Sequence, residues 1–167
     1  FKTLIKTTND AIILSDYRGK IIEWNIAATK MFGHTKQEIL GKPITTIIPQ
    51  KYSKAHQKGF NESVKKGFVQ NTKTRKVEGL TKNGKVFPIE ISFNSWDSKE
   101  ELVYCAFIQD ITQRQREEKT REIIYNITKK AHETTSLSVL FKFIQIELSA
   151  VINTDTFLLL FMIKKQI

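Results

Sequence analysis

The sequence has a single cysteine, Cys105, in 167 residues. No intramolecular disulfide can form, so packing and hydrogen bonds must hold the fold, as suits a reducing cytosol. Long apolar runs are missing too. The longest, Phe157–Ile163, falls far short of the ~20 residues that span a bilayer, and no signal-peptide pattern opens the chain. A cytoplasmic location with no membrane segment in this stretch is the expectation. Phe1 and Ile167, the latter close behind a hydrophobic run, read as the cut edges of a longer protein. Repeats and low-complexity tracts are absent. The three histidines, His34, His56 and His132, are scattered, with no second cysteine and no carboxylate pair beside them, so no metal site is expected. A Gly-rich phosphate loop is lacking, as is any supported Ser-His-Asp or Cys-His ordering, and the chain is not expected to be an enzyme.

Acidic residues are in deficit: 17 against 27 Lys plus Arg, a net charge of +10. The imbalance is greatest before residue 111, and Lys51, Lys54, Lys58, Lys65 and Lys66 fall in one stretch. Nucleic-acid readout calls for arginine and interleaved stacking aromatics. Only Tyr52 and Phe60 occur there, eight apart, which matches one helix face packing inward. A solvated lysine face is the better reading, and no nucleic-acid partner is expected.

What is present is ordered. Phe1–Thr8 reads as a short helix. Ala11–Leu14 and Lys20–Asn25 read as two strands around the turn Asp16-Tyr17-Arg18-Gly19. Asn25 is placed to cap a helix over Ile26–Phe32, with Gly33 just past its end. Thr35 and Glu38 form a capping box for a second short helix stopping at Gly41. Pro43 and Pro49 leave one helical turn between them. A longer helix over Gln50–Lys66 carries Tyr52, His56, Phe60 and Val64 on one face. The period then changes to two. Thr72–Thr81, a turn at Asn83-Gly84, Phe87–Phe93 and Leu102–Ile111 read as three strands, with a polar turn at Asp97–Glu100. A charged helix from Thr112, a helix over Leu137–Ile152 and an apolar strand over Thr156–Ile163 follow. The layout is α+β with an antiparallel sheet.

The stretch Asp16-Tyr17-Arg18-Gly19-Lys20-Ile21-Ile22-Glu23-Trp24-Asn25, then Ala27-Ala28, Phe32-Gly33-His34 and Glu38-Ile39-Leu40-Gly41-Lys42-Pro43, resembles the PAS family of sensor domains. Lys82-Asn83-Gly84-Lys85-Val86-Phe87-Pro88-Ile89-Glu90 and the closing Asp110-Ile111-Thr112 continue the match, which covers residues 1–112. Residues 120–163 resemble the start of a GAF domain. The resemblance implies a PAS fold over 1–112: a five-stranded antiparallel sheet with short helices over one face, cupping a pocket. A signalling or linker helix over 113–133 and the opening of a GAF-like domain over 134–167 would complete the chain. Such domains stand upstream of a histidine kinase, cyclase or similar output in the same polypeptide.

Several residues are site candidates on that basis. His56 sits where haem-binding PAS sensors carry an axial histidine, and Arg75 matches a polar strand residue near their bound gas; a neutral imidazole can ligate iron and a guanidinium can donate to a diatomic. A half-buried histidine satisfied by a backbone group explains His56 equally well, so haem and no cofactor both stay open. The cysteinyl-flavin chemistry of light-sensing relatives needs a thiol just after Gly41-Lys42-Pro43. Ile44 stands there, and Cys105 lies on the last strand instead, so flavin adduct formation is not expected. Ile44, Tyr52, Phe60, Phe87, Ile89, Ile91, Tyr104, Ala106 and Ile108 are expected to line the cup, whether it is a filled core or holds a small-molecule ligand. His34 and His132 are expected to face solvent. The outer face of the last strand, with Val103, Cys105, Phe107 and Gln109, is apolar enough to need a cover, either the N-terminal helix or a second protomer. Asp110, Ile111 and Thr112 join that strand directly to the helix, with Thr112 capping it and Asp110 anchoring the junction. Ile123, Ile124 and Ile127 supply an adjustable parallel seam for a homodimer. The expected function is sensing and signal relay within a two-component protein, with a ligand-free dimerisation module and a haem-based gas or redox sensor as alternatives.

Overall fold

The computed structural model describes residues 9–66, 70–98 and 101–149. The expected helix at Phe1–Thr8, the strand over Thr156–Ile163 and the last residues of the Leu137–Ile152 helix lie outside them. The chain forms two compact units, 1–112 and 113–167.

In the first unit, β1 (Ala11–Ser15) and β2 (Ile21–Trp24) form a hairpin. Asp16 makes the turn work. Its Oδ1 accepts the N–H groups of Arg18 at 2.9 Å and Lys20 at 2.8 Å, and Gly19 takes a positive φ of 76°. Helix α1 (Ile26–Phe32) starts at the Asn25 cap and ends at Gly33. Helix α2 (Lys36–Ile39) has the expected reciprocal capping box of Thr35 and Glu38. A single 3-10 turn, Ile44–Ile47, fits between the two prolines. Helix α3 (Gln50–Lys66) follows, then β3 (Gln70–Leu80), β4 (Val86–Ser98) and β5 (Glu101–Asp110). The strand order is β2-β1-β5-β4-β3, antiparallel throughout. Strand β4 runs through Asp97 to Ser98, so the first two residues of the turn expected at Asp97–Glu100 are strand. Cross-strand pairing with Leu102 and Glu101 carries the ladder that far.

Register decides which side chains share the inner face. Ala11, Ile13 and Ser15 pair with Ile108, Ala106 and Tyr104. Those in turn face Ile91, Phe93 and Ser95 on β4. The core runs across the inner face from β2 to β4, and in it Trp24, Phe32, Ile13, Ile21, Ile39 and Ile108 are fully buried. Rings of Trp24 and Phe32 lie 5.6 Å apart, and Phe32 meets Phe87 edge-on at 5.5 Å. Each buried side chain of this size stabilises by about 1.5–3 kcal/mol. Gly79 on β3 lets the backbone approach this group: a Cβ there would sit 3.0 Å from Phe32 and 3.1 Å from Phe87.

The second unit holds α4 (Thr112–Glu133, whose first residue closes unit one) and α5 (Leu137–Ser149). Ile123 is buried and Ile127 half-buried, while Ile124 and Tyr125 are exposed. Of the three isoleucines expected to form an open seam, Ile123 is therefore already enclosed by its own chain. No helix among the described residues is long and apolar enough to cross a membrane.

Candidate functional site

The cup has two unlike ends. Phe87, Ile89 and Ile108 are buried in the main cluster, and Ile44, Ile91 and Ala106 pack against it. These six expected lining residues are packed core. At the other end the inner face turns polar, because the register sets Ser15, Tyr104 and Ser95 side by side across β1, β5 and β4. All three are buried, Tyr104 to 7% exposure.

Helix α3 lies over that end. None of its described side chains is fully buried. Phe60 is half-buried, its ring 4.9 Å from that of Tyr104, and His56 stacks on Phe60 at 6.1 Å with a 19° interplanar angle. The Tyr104 hydroxyl and His56 Nδ1 are both enclosed and have no hydrogen-bond partner within the protein. Burial pushes the His56 pKa below 6.5 and the Tyr104 pKa above 10. Near neutral pH both groups are uncharged.

Tyr52 does not belong to this lining. It is 42% exposed, in the first turn of α3, with the Lys51 ammonium 4.8 Å above its ring. Lys51 bonds Glu78 on β3 at 2.6 Å, which holds that turn at the sheet edge and leaves Tyr52 outside the cup. Arg75, on β3, pairs with Ile91 of β4, is exposed, and sets its guanidinium 5.8 Å over the Phe93 ring. A porphyrin between His56 and the sheet would have to take the place of Phe60, so the residues as packed do not fit haem. Cys105 lies on the outer face opposite Leu14 and Asn94, buried, with its thiol pushed up to about 11 by desolvation. It is remote from the cup and not a thiolate. Among the described residues no group of metal-binding side chains occurs.

His34, expected in solvent, is buried at 8% exposure. Its carbonyl accepts the Trp24 indole N–H at 3.2 Å, which fixes this residue against the core. Desolvation, then the charges of Lys42 and Lys82, hold its pKa below 6.5. His132 is exposed.

At the far end of β5, Ile111 is buried and its N–H donates to the Pro88 carbonyl at 3.2 Å. Asp110 Oδ1 accepts the Thr112 N–H at 2.8 Å. Thr112 was expected to cap α4, but it is the first helical residue, and Asp110 satisfies its free N–H. Strand, hydrophobic anchor and helix start are thus joined within three residues.

Two features of the site are not legible in the sequence. The Ser15–Tyr104–Ser95 row depends on register between strands some ninety residues apart in the chain. Asn25 does more than cap α1: its Oδ1 accepts from both Ala28 (2.8 Å) and Ile12 (3.0 Å), and its Nδ2 donates to the Asp10 carbonyl (3.0 Å).

Comparison with known proteins agrees with this architecture. A family model described as "PAS domain" matches residues 9–113. An uncharacterized protein of Azorhizobium caulinodans is 37% identical over 117 residues, 68% of this chain and 16% of that protein. The sensor protein FixL of Bradyrhizobium diazoefficiens is 23% identical, over 69% of this chain and 23% of its own length. The cell-division control histidine kinase PdhS of Brucella anthropi is 26% identical, over 81% of this chain and 12% of its own length. The chain therefore spans less than a quarter of each of these relatives. A crystal structure of a PAS domain from Colwellia psychrerythraea superposes with a TM-score of 0.58 at 21% identity, covering 67% of this chain and 94% of that one. Sheet order, the capped short helices and the family match over residues 9–113 together place this chain in the PAS domain family.

Proposed function

We propose that this chain is a sensory and relay segment of a cytoplasmic signal-transduction protein of the sensor histidine kinase type. The observation that carries the reading is the junction at Asp110-Ile111-Thr112. A change in β5 moves Ile111 against Pro88 and, through the Asp110–Thr112 bond, the first turn of α4. FixL and PdhS, a sensor protein and a histidine kinase by name, support an output of that kind. The chain itself performs no catalysis in this reading. It acts as a homodimer in which the exposed Ile124 and Tyr125 face the partner. Residues 134–167 open a GAF-like domain. Helix α5 supports this: Leu137, Val139 and Leu148 are exposed while Leu140, Phe143 and Ile144 are half-buried, an all-round apolar pattern typical of a helix enclosed by more protein.

The test grafts residues 1–133 onto a histidine kinase core and measures autophosphorylation. Asp110→Ala should change the output at least several-fold while the far-ultraviolet dichroism of the isolated chain stays the same. Unchanged output in a folded variant would sink the relay.

A further inference from the structure

The two edges of the sheet are finished differently. The outer edge of β2 is covered by its own chain. Ile21 donates its N–H to the Lys42 carbonyl at 2.9 Å, Gly41 donates to the Ile21 carbonyl at 2.8 Å, and Lys20 bridges Pro43. Along β3, the opposite edge, no backbone group among the described residues pairs with the free side over 74–78. Thr74, Arg75, Lys76 and Val77 are all exposed, so both faces of the strand lie open there. Pairing with β4 is unbroken from Arg75 to Leu80, the register shift lying before Arg75. Such a regular run, about 17 Å long over 74–78, presents unpaired N–H and C=O groups that a further strand can complete. We propose that the free edge of β3 receives an extended acidic segment of another protein as a sixth, antiparallel strand. In that strand an apolar residue and then two acidic ones stand opposite Val77, Lys76 and Arg75. This contact is additional to the relay and does not depend on it.

Side-chain chemistry selects that occupant. Proteins blunt unused edges with proline, bulges, short strands or charge, whereas β3 carries a β-branched apolar residue, Val77, 42% exposed within its free run. Cross-strand neighbours stand about 4.5–5.5 Å apart at Cβ, so an apolar side chain opposite Val77 covers it. Arg75 shares the inner face with Val77, and its guanidinium rests 5.8 Å over the Phe93 ring, which holds the planar fork ready for a carboxylate. Lys76 lies on the outer face, opposite Glu90 of β4. Glu78, the acid of the run, is already bound by Lys51 at 2.6 Å and so does little to repel an acidic strand. A second copy is the poorer occupant. Symmetric pairing centred on Arg75 or Lys76 sets that cation against its own twin, which destabilises. Centred on Val77, it offers Lys76 only the Glu78 that Lys51 holds, and it leaves Arg75 opposite Gly79 without a counter-charge. The net charge of +10 favours an acidic partner over self-association as well.

The experiment titrates the isotope-labelled 167-residue protein with the peptide acetyl-Ser-Thr-Val-Glu-Glu-Thr-Ser-amide and follows amide shifts and hydrogen exchange by NMR. With its valine opposite Val77, the peptide's two acids meet Lys76 and Arg75. Alternate amides over 74–78, those on the free side, should exchange several-fold more slowly in the complex, and their neighbours, already bonded to β4, should not change. A peptide with both acids replaced by lysine should bind about tenfold more weakly. Arg75→Glu, at an exposed position away from the core, should weaken the parent peptide by a similar factor. Lysine at the peptide position opposite residue 75 should then restore binding to that variant. Of the two ways of N-methylating alternate peptide residues, one should abolish binding and the other, which leaves the bonding side intact, should not. Equal binding by both N-methylated peptides would reduce the contact to charge alone and overturn the proposal. No binding of the parent peptide at about 1 mM would overturn it too. Slow exchange of the same alternate amides without peptide, growing with protein concentration, would give the edge to a second copy instead.

Discussion

Asn25 offers the sharpest test of how this sheet is held to its helices. At 5% exposure its side chain caps α1 through Ala28, takes the N–H of Ile12 on β1, and donates to Asp10. Asn25→Ala removes these bonds. Loss of the cap costs about 1 kcal/mol. The Ile12 N–H, on a buried residue, is left without its partner, adding about 1–3 kcal/mol. The expected total is about 2–4 kcal/mol, a large share of a typical domain's stability. Asn25→Asp retains the acceptor for both N–H groups and favours the helix start, but loses the donor and sets a carboxylate beside the Asp10 carbonyl. It should fall between the parent and Ala. Both tryptophans, Trp24 and Trp96, lie in the first unit, so urea unfolding followed by fluorescence reads that unit alone. An Ala variant within about 0.5 kcal/mol of the parent refutes the reasoning, since surface changes of no consequence fall in that range. An Asp variant as damaged as Ala would show that the acceptor is not what matters.

Two further outcomes follow from the packing and the buried imidazoles. Gly79→Ala pushes a methyl group toward Phe32 and Phe87, at 3.0 and 3.1 Å, and should cost about 1–3 kcal/mol by overpacking, read by the same fluorescence melt. A stability equal to the parent would mean the two rings shift freely. His56 and His34 both have pKa values held below 6.5 by burial, so near and below that pH the unfolded chain binds more protons than the folded one. Stability should be full above about pH 7 and decline as the pH falls through 6.5. His56→Gln should flatten that decline in part, with His34 retaining the rest, and a decline unchanged in the variant would dissociate His56 from it.

Local chemistry alone was enough for the element types along most of the first 112 residues. Thr35 and Glu38 form their capping box, Asn25 and Gly33 bound α1, and Asn83-Gly84 turns β3 into β4 with Gly84 at φ 80°. These motifs act within four residues, so their partners are adjacent in the chain. Alternation likewise assigned Phe87, Ile89 and Ile91 to the inner face, since the pleat fixes that at every second residue. Contacts distant in sequence were decided only by the fold. Tyr52 and His56 share a helix stripe, yet the Lys51–Glu78 pair at the sheet edge leaves the first exposed. His34 looked like a surface residue after a helix end until the Trp24 indole took its carbonyl. The polar row of Ser15, Tyr104 and Ser95 exists because β5 inserts between β1 and β4, and no local pattern encodes that insertion. Sequence periodicity says which face a residue occupies, whereas strand order and register say what it meets there, and the candidate site is made of such meetings.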